Sequence, residues 1–194
     1  LHKPHLKVIV VTGDGDCTAI GGNHLIHAAR RNIDLTVILV NNNIYGMTGG
    51  QCSPTTPHEA IATTAPYGNI EPDLHICELA LGAGASYVAR TTAYHTQETQ
   101  NIVKEAIEHP GFALIEVVSA CPVIYGRLNK KGGAPEMMKE MRDNSIPLAA
   151  MEKLPPEKVE GKIIRGVLRK DLRPEYTAQY ADLVKRVQAM GGDK

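Results

Sequence analysis

Two short stretches carry the residue types that could do chemistry. In "GDGD", residues 13–16, Asp14 and Asp16 alternate with Gly13 and Gly15 directly after an apolar run. In "NNNIYGMTGGQ", residues 41–51, three asparagines follow a second apolar run and lead into a glycine-rich segment. Glycines let a backbone approach a phosphate closely, and free amides at a helix start attract anions. A carboxylate among phosphates repels them unless a divalent cation lies between, and hard cations such as magnesium take oxygen ligands from one or two side chains plus phosphate oxygens. The Gly-Asp-Gly-Asp turn therefore implies a metal-bridged diphosphate. Asp14 is the charged ligand, the amide oxygen of Asn42 the second and the backbone carbonyl of Ile44 the third. Asp14 is expected in a loop, where its replacement would leave the fold intact.

Something must bring those stretches together. "KVIVVT" (7–12), "LTVILV" (35–40), "SYVAR" (86–90) and "ALIEVV" (113–118) are short, β-branched and mostly continuous in apolar character. That is the pattern of strands buried on both faces of one parallel sheet. Residues 21–32 turn as a helix with Leu25, Ile26, Ala28 and Ala29 inward and Arg30 and Arg31 at the negative end of its dipole. Further helices are predicted over 73–84, from an Asp73 cap to glycines, and over 96–111, from a Thr96 cap to a Pro-Gly stop. The result is an α/β fold, a doubly wound, mostly parallel sheet with right-handed crossovers. Ligands in such sheets bind beyond the carboxyl ends of the strands, where "TGDGD", "NNNIYGMTGGQ" and "SACPVIYGR" (119–127) converge. Residues 1–126 read as the diphosphate-binding domain. Residues 127–194 read as an irregular or helical C-terminal extension, an arm or a packed segment, with no strand signal and a closing helix over 173–190.

Bulk properties narrow the classes. The 194 residues carry 21 Lys plus Arg and 21 Asp plus Glu, so there is no electrostatic footprint for nucleic acid or an anionic membrane. No apolar run approaches the roughly 20 residues that span a bilayer, and no secretory leader pattern is present, so the expected location is cytoplasmic. Cys17, Cys52, Cys77 and Cys121 show no metal-clip spacing. The chain opens at Leu1, which reads as a fragment or a processed piece.

Gly-Asp-Gly followed at this distance by Asn-Asn resembles the thiamine diphosphate signature. The longer run over 13–56, with "APYGNIEPDLHICELALGAGASYVAR" (65–90) and "CPVIYGR" (121–127), is similar to the β subunit of 2-oxoacid:ferredoxin oxidoreductases over about residues 5–128. The resemblance implies oxidative decarboxylation of a 2-oxoacid with coenzyme A to an acyl-CoA and carbon dioxide, with electrons passed through a 4Fe-4S cluster to ferredoxin. It implies that Asp14, Asn42 and the Ile44 carbonyl hold magnesium. Gly13, Gly15, Asp16, Gly46, Met47 and Thr48 would contact thiamine diphosphate, Asp16 from one step behind the metal. Cys121 would be the last ligand of the cluster, its partner cysteines lying in a segment upstream of Leu1. The glutamate that activates the cofactor is not evident here and is expected on an α subunit, with small additional subunits as further partners. "APYGNIEP" and "CPVIYGR" look most like the 2-oxoglutarate members, with branched-chain acids next and pyruvate third.

Plainer readings stand beside these. His24 and His27 belong to a helix surface, Cys17 and Cys77 to packing, and Cys52 to a loop near the site. Met137, Met138 and Met141 form one face of a short helix. The basic residues of 158–174 are solvated charge or a dock for an acidic ferredoxin. Two other classes remain: a non-oxidative thiamine enzyme, and a non-catalytic nucleotide-binding module using the same turn.

Overall fold

The computed structural model describes residues 6–191. Strand β1 (Ile9–Gly13) runs straight into a short helix α1 (Asp14–Thr18), followed by α2 (Gly22–Arg31) and β2 (Leu35–Asn41). A long loop then leads to α3 (Ile76–Gly82), β3 (Tyr87–Thr92), α4 (Thr96–Glu108) and β4 (Phe112–Val118). After a π-helical turn at Pro122–Gly126 come α5 (Ala134–Asp143), β5 (Ser145–Pro147), α6 (Leu148–Met151), α7 (Pro156–Val159), β6 (Ile163–Lys170) and α8 (Tyr176–Gly191). The six strands form one sheet in the order β1-β2-β4-β3-β6-β5. Every pairing is parallel except β3 with β6.

The period of two along β4 divides the core between the sheet faces. Phe112 and Leu114 pack with Leu25, Ala29, Ile76 and Ala80 of α2 and α3. Ala113, Ile115 and Val117 pack with Ile102 and Ala106 of α4. As the central strand β4 is buried on both faces, its apolar run is continuous. Each of its large side chains contributes about 1.5–3 kcal/mol of burial. β1 departs from the expected double burial. It is an edge strand, and Val8, Ile9, Val10 and Val11 remain exposed.

Two helix starts differ from the expected caps. α3 begins at Ile76 with His75 in the cap position, and α4 begins at Thr96 with His95 there, neither using a side-chain cap. The Gly-Asp-Gly-Asp stretch is not an open turn but the start of α1, with Gly13 as its extended N-cap.

The segment after Tyr125 lacks a strand pattern, yet it supplies β5 and β6. β6 closes the sheet against β3, with Val88 opposite Arg169 and Arg90 opposite Gly166. Asn32 ties the later chain down. It sits in the left-handed region at φ 52° as the C-cap of α2, and its Nδ2 donates to the carbonyls of Arg173 and Pro174, each at 3.2 Å. α8 follows, exposed along its length. No helix among the described residues is long and apolar enough to cross a membrane.

Candidate functional site

Asp14 is the first residue of α1 and is 2% exposed. Its Oδ2 accepts hydrogen bonds from Ser53 Oγ at 2.5 Å and Thr55 Oγ1 at 2.7 Å. Among the described residues its Oδ1 receives only a long contact, 3.4 Å from the backbone N–H of Asn42, which leaves lone pairs on that oxygen for another ligand. Parallel pairing of β1 with β2 sets Gly13 beside Val40. The two strand ends therefore lie side by side, and it is the backbone amide of Asn42 that faces Asp14, while the side-chain oxygen expected as a ligand accepts the Ile44 amide.

The asparagine run is held by its own side chains. Asn41 Oδ1 accepts the Asn43 amide at 3.1 Å, and Asn42 Oδ1 accepts the Ile44 amide at 3.2 Å. Asn43 takes φ 62°, a conformation that asparagine tolerates better than most residues. Thr56 Oγ1 donates to its carbonyl at 2.7 Å. Ile44 is buried with Ala60, Ala62, Tyr125 and Met137 under the long loop.

Beyond Ile44 the chain doubles back, with Tyr45 bridged to Gln51. The Tyr45 ring covers Gly15, where a Cβ would strike the ring, so only glycine fits beneath it without moving the tyrosine. Partial burial raises the Tyr45 pKa, and the Asp16 and Asp14 carboxylates add to the rise. The loop tip presents a fully exposed Met47 and an exposed Thr48. Asp16 is exposed, and its carboxylate makes no hydrogen bond among the described residues.

Cys121 stands at the start of the π-helical turn, half-buried. Its Sγ would lie 3.4 Å from a Cβ built on Gly46, so the cysteine and the asparagine loop share one edge. All four cysteines are free thiols. Cys17 and Cys77 sit in the core. Burial, with help from Asp16, pushes the Cys17 thiol up to about 11. Burial, followed by Glu116, raises Cys77 well above its ordinary value. Cys52 packs against the small cluster around Ile44. His24 and His27 lie on the exposed side of α2, and Met137 and Met141 bury one face of α5.

Serine and threonine hydroxyls around Asp14 were not evident from residue types, because "SPTT" (53–56) reads as ordinary turn chemistry. Behind them lies a polar chain. Thr55 Oγ1 is 3.1 Å from Asn41 Oδ1. Asn41 Nδ2 donates to Glu116 Oε1 at 2.8 Å. Glu116 Oε2 takes Arg90 Nε at 2.7 Å and the Cys77 thiol at 3.2 Å. Burial opposes the Arg90 charge, but Glu116 and Glu78 outweigh it and its pKa is raised. Arg90 and Glu116 are register partners on β3 and β4. The available signal was a lone charge inside an apolar strand.

Two cavities open beside the asparagine run. One, about 580 Å³, is lined by Asn41, Thr55, Glu78, Arg90, Glu116 and Lys162. The other, about 320 Å³, is lined by Asn42, Asn43, Ser119, Tyr125, Met137 and Met141.

The donor set tests which metal fits. No group of three or more His, Cys, Asp or Glu capable of holding a metal exists among the described residues. A buried carboxylate, a side-chain amide oxygen and a backbone carbonyl are hard oxygen donors. With diphosphate oxygens they suit magnesium rather than zinc. An iron–sulfur cluster at Cys121 would draw its other thiolates from outside the described residues.

Comparison with known proteins agrees with this geometry. Residues 1–117 match the family described as "Thiamine pyrophosphate enzyme, C-terminal TPP binding domain". The chain is 54% identical over 175 residues to the 2-oxoglutarate synthase subunit KorB of Methanothermobacter marburgensis, covering 90% of this chain and 61% of the relative. It is 49% identical over 187 residues to the subunit of the same name in Methanocaldococcus jannaschii, covering 96% and 69%. The chain thus spans about two thirds of the length of these relatives. A solved 2-oxoglutarate:ferredoxin oxidoreductase from Magnetococcus marinus, with 2-oxoglutarate, coenzyme A and succinyl-CoA bound, superposes with a TM-score of 0.82 at 34% identity. That match covers 96% of this chain and 64% of the solved one. Shared architecture, the paired strand ends and the level of identity lead to one conclusion: this chain belongs to the thiamine pyrophosphate enzyme family, in the branch of the KorB subunits of 2-oxoglutarate synthase.

Proposed function

We propose that this chain supplies the diphosphate- and magnesium-binding half of a 2-oxoacid:ferredoxin oxidoreductase that converts 2-oxoglutarate and coenzyme A to succinyl-CoA and carbon dioxide. The observation that carries the reading is Asp14. It is a buried carboxylate at a strand end, with one oxygen left largely free and the Asn42 amide beside it. Asp14, Asn42 and the Ile44 carbonyl hold the magnesium, and Gly13, Gly15, Asp16, Gly46, Met47 and Thr48 border the cofactor. When bound, thiamine diphosphate supplies a carbon centre that accepts the electron pair left by decarboxylation. The chain's own residues anchor and orient, and Gly13 and Gly15 let the backbone approach phosphate closely.

The activating glutamate comes from an α subunit. Glu116 is committed to Arg90, Asn41 and Cys77 and does not serve. Cys121, whose thiol lies beside Gly46, would supply one thiolate of a 4Fe-4S cluster, a group that would provide one-electron chemistry towards ferredoxin, and the heteromer works in the cytoplasm. Co-expression with the α subunit tests the reading. The complex should reduce a viologen dye with 2-oxoglutarate and coenzyme A, while this chain alone, given magnesium and cofactor, should not. Faster turnover of branched-chain acids would replace the substrate, and turnover by the chain alone would remove the shared site.

A further inference from the structure

The polar chain behind Asp14 has a directional logic. Thr55 has one hydroxyl proton and three oxygens within reach, Asp14 Oδ2 at 2.7 Å, Ser53 Oγ at 2.9 Å and Asn41 Oδ1 at 3.1 Å. Ser53 gives its own proton to Asp14 Oδ2 at 2.5 Å. A carboxylate only accepts. Glu116 therefore requires the Nδ2 end of Asn41, at 2.8 Å, and turns Oδ1 towards Thr55 and the Asn43 amide. Glu116 is itself 4% exposed and fixed by Arg90 Nε at 2.7 Å.

We propose that Glu116 is a positioning residue for the metal ligand Asp14. It acts through Asn41, whose oxygen it holds ready as the alternative acceptor for the Thr55 proton. A cation on the open Oδ1 draws charge from the carboxylate and weakens Oδ2 as an acceptor. Thr55 can then share its proton with Asn41 Oδ1, and the Ser53 hydroxyl, which also donates to Oδ2, has Thr55 Oγ1 2.9 Å away. A buried donor left without an acceptor costs about 1–3 kcal/mol, so the second acceptor makes the carboxylate easier to share. The inference rests on the reading of Asp14 as a magnesium ligand.

Glu116→Gln tests it. The new side-chain amide must present its oxygen to Arg90 and its amino group to Asn41, which flips Asn41 and turns a donor towards Thr55 and the Asn43 amide. In the assembled enzyme with thiamine diphosphate, manganese replaces magnesium, and loss of its free-ion paramagnetic resonance signal reports binding. The manganese midpoint should rise about tenfold or more, the usual effect of removing a residue that orients a metal ligand, while the cofactor still binds at saturating metal. Asn41→Ala should raise it comparably and keeps the test open if Glu116→Gln compromises folding. The double variant should match Asn41→Ala within about twofold, because the path runs through one residue. An unchanged midpoint in either single variant, a purely thermal destabilisation, or additive effects in the double variant would overturn the proposal. Asp14→Asn separates it from the underlying reading: if that variant also leaves the midpoint unchanged, Asp14 is not the ligand. If Asp14→Asn alone shifts it, only the role of Glu116 falls.

Discussion

The sulfur of Cys121 lies over the bare α-carbon of Gly46, where a methyl group would stand 3.4 Å from Sγ. The two residues reach each other from the loops after β4 and β2, so the thiol shares an edge with the Asp14 and Asn42 pair.

This contact bears on the cluster. In the full-length complex purified without oxygen, Cys121→Ala should lose about one cluster's worth of iron and sulfide, since a cubane needs its four ligands. Electron delivery to ferredoxin should stop. Iron analysis and dye reduction check it, and full iron content would make Cys121 a packing residue.

Asp14 is buried within α1, not in a free loop, so its replacement carries a structural cost as well as a functional one. Asp14→Ala moves the Ser53 and Thr55 hydroxyls from their short bonds to a charged oxygen onto the longer Thr55 Oγ1 and Asn41 Oδ1 alternatives, costing about 1–3 kcal/mol. It should also abolish magnesium-dependent binding of thiamine diphosphate. Asp14→Asn keeps an oxygen acceptor and should weaken binding without abolishing it. Calorimetric titration and a denaturation curve on both variants separate the two effects.

Gly21 is required by close approach. A Cβ there would run into the Asp16 carbonyl oxygen and press on the Cys17 α-carbon at 3.1 Å, backbone that cannot swing aside. Gly21→Ala should cost about 1–3 kcal/mol, as overpacking does. Because the strain falls on α1, cofactor affinity should drop with it. Equal stability in urea titration would contradict this.

His109 makes the fold acid-sensitive. Ser86 Oγ donates to Asn32 Oδ1 at 2.6 Å and so receives the Nε2 proton of His109 at 2.8 Å. Nδ1 is buried and has no hydrogen-bond partner among the described residues. A second ring proton would be stranded there. Burial lowers the His109 pKa below 6.5, Lys170 lowers it further, and Asp34 opposes them. The unfolded chain thus binds more protons than the folded one. Stability is full above about pH 6.5 and falls as pH drops through the folded pKa. Denaturation midpoints at neutral and mildly acidic pH should show that loss, and His109→Gln should reduce it.

The parts of the fold legible in sequence were those governed by local rules. Continuous apolar runs marked β1 to β4, because three of them are buried in a parallel sheet. β6 escaped because it carries arginines at half-buried positions. Arg165 pairs with Glu98 at 2.6 Å and Arg169 donates to the Leu81 carbonyl at 3.1 Å, so the charges are satisfied by partners far along the chain. Gly166, at φ 131°, breaks the pattern further. At the site, Asp14 and Asn42 were visible because their geometry lies in the backbone around them. Ser53, Thr55 and Glu116 were not, since only the tertiary fold brings their side chains into one chain of hydrogen bonds.

The strand order sets a timetable for synthesis. β4 lies between β2 and β3, and both sheet neighbours of β3 are made after it. As the polypeptide leaves the ribosome, β1 and β2 can pair early, carrying Asp14 and Asn42 with them. β3 must wait for β4, and Glu116 arrives on that strand. The nascent chain thus holds its acidic turn before it has the brace behind it. The interval between residues 41 and 118 is when an exposed, half-made sheet most needs shielding from its neighbours.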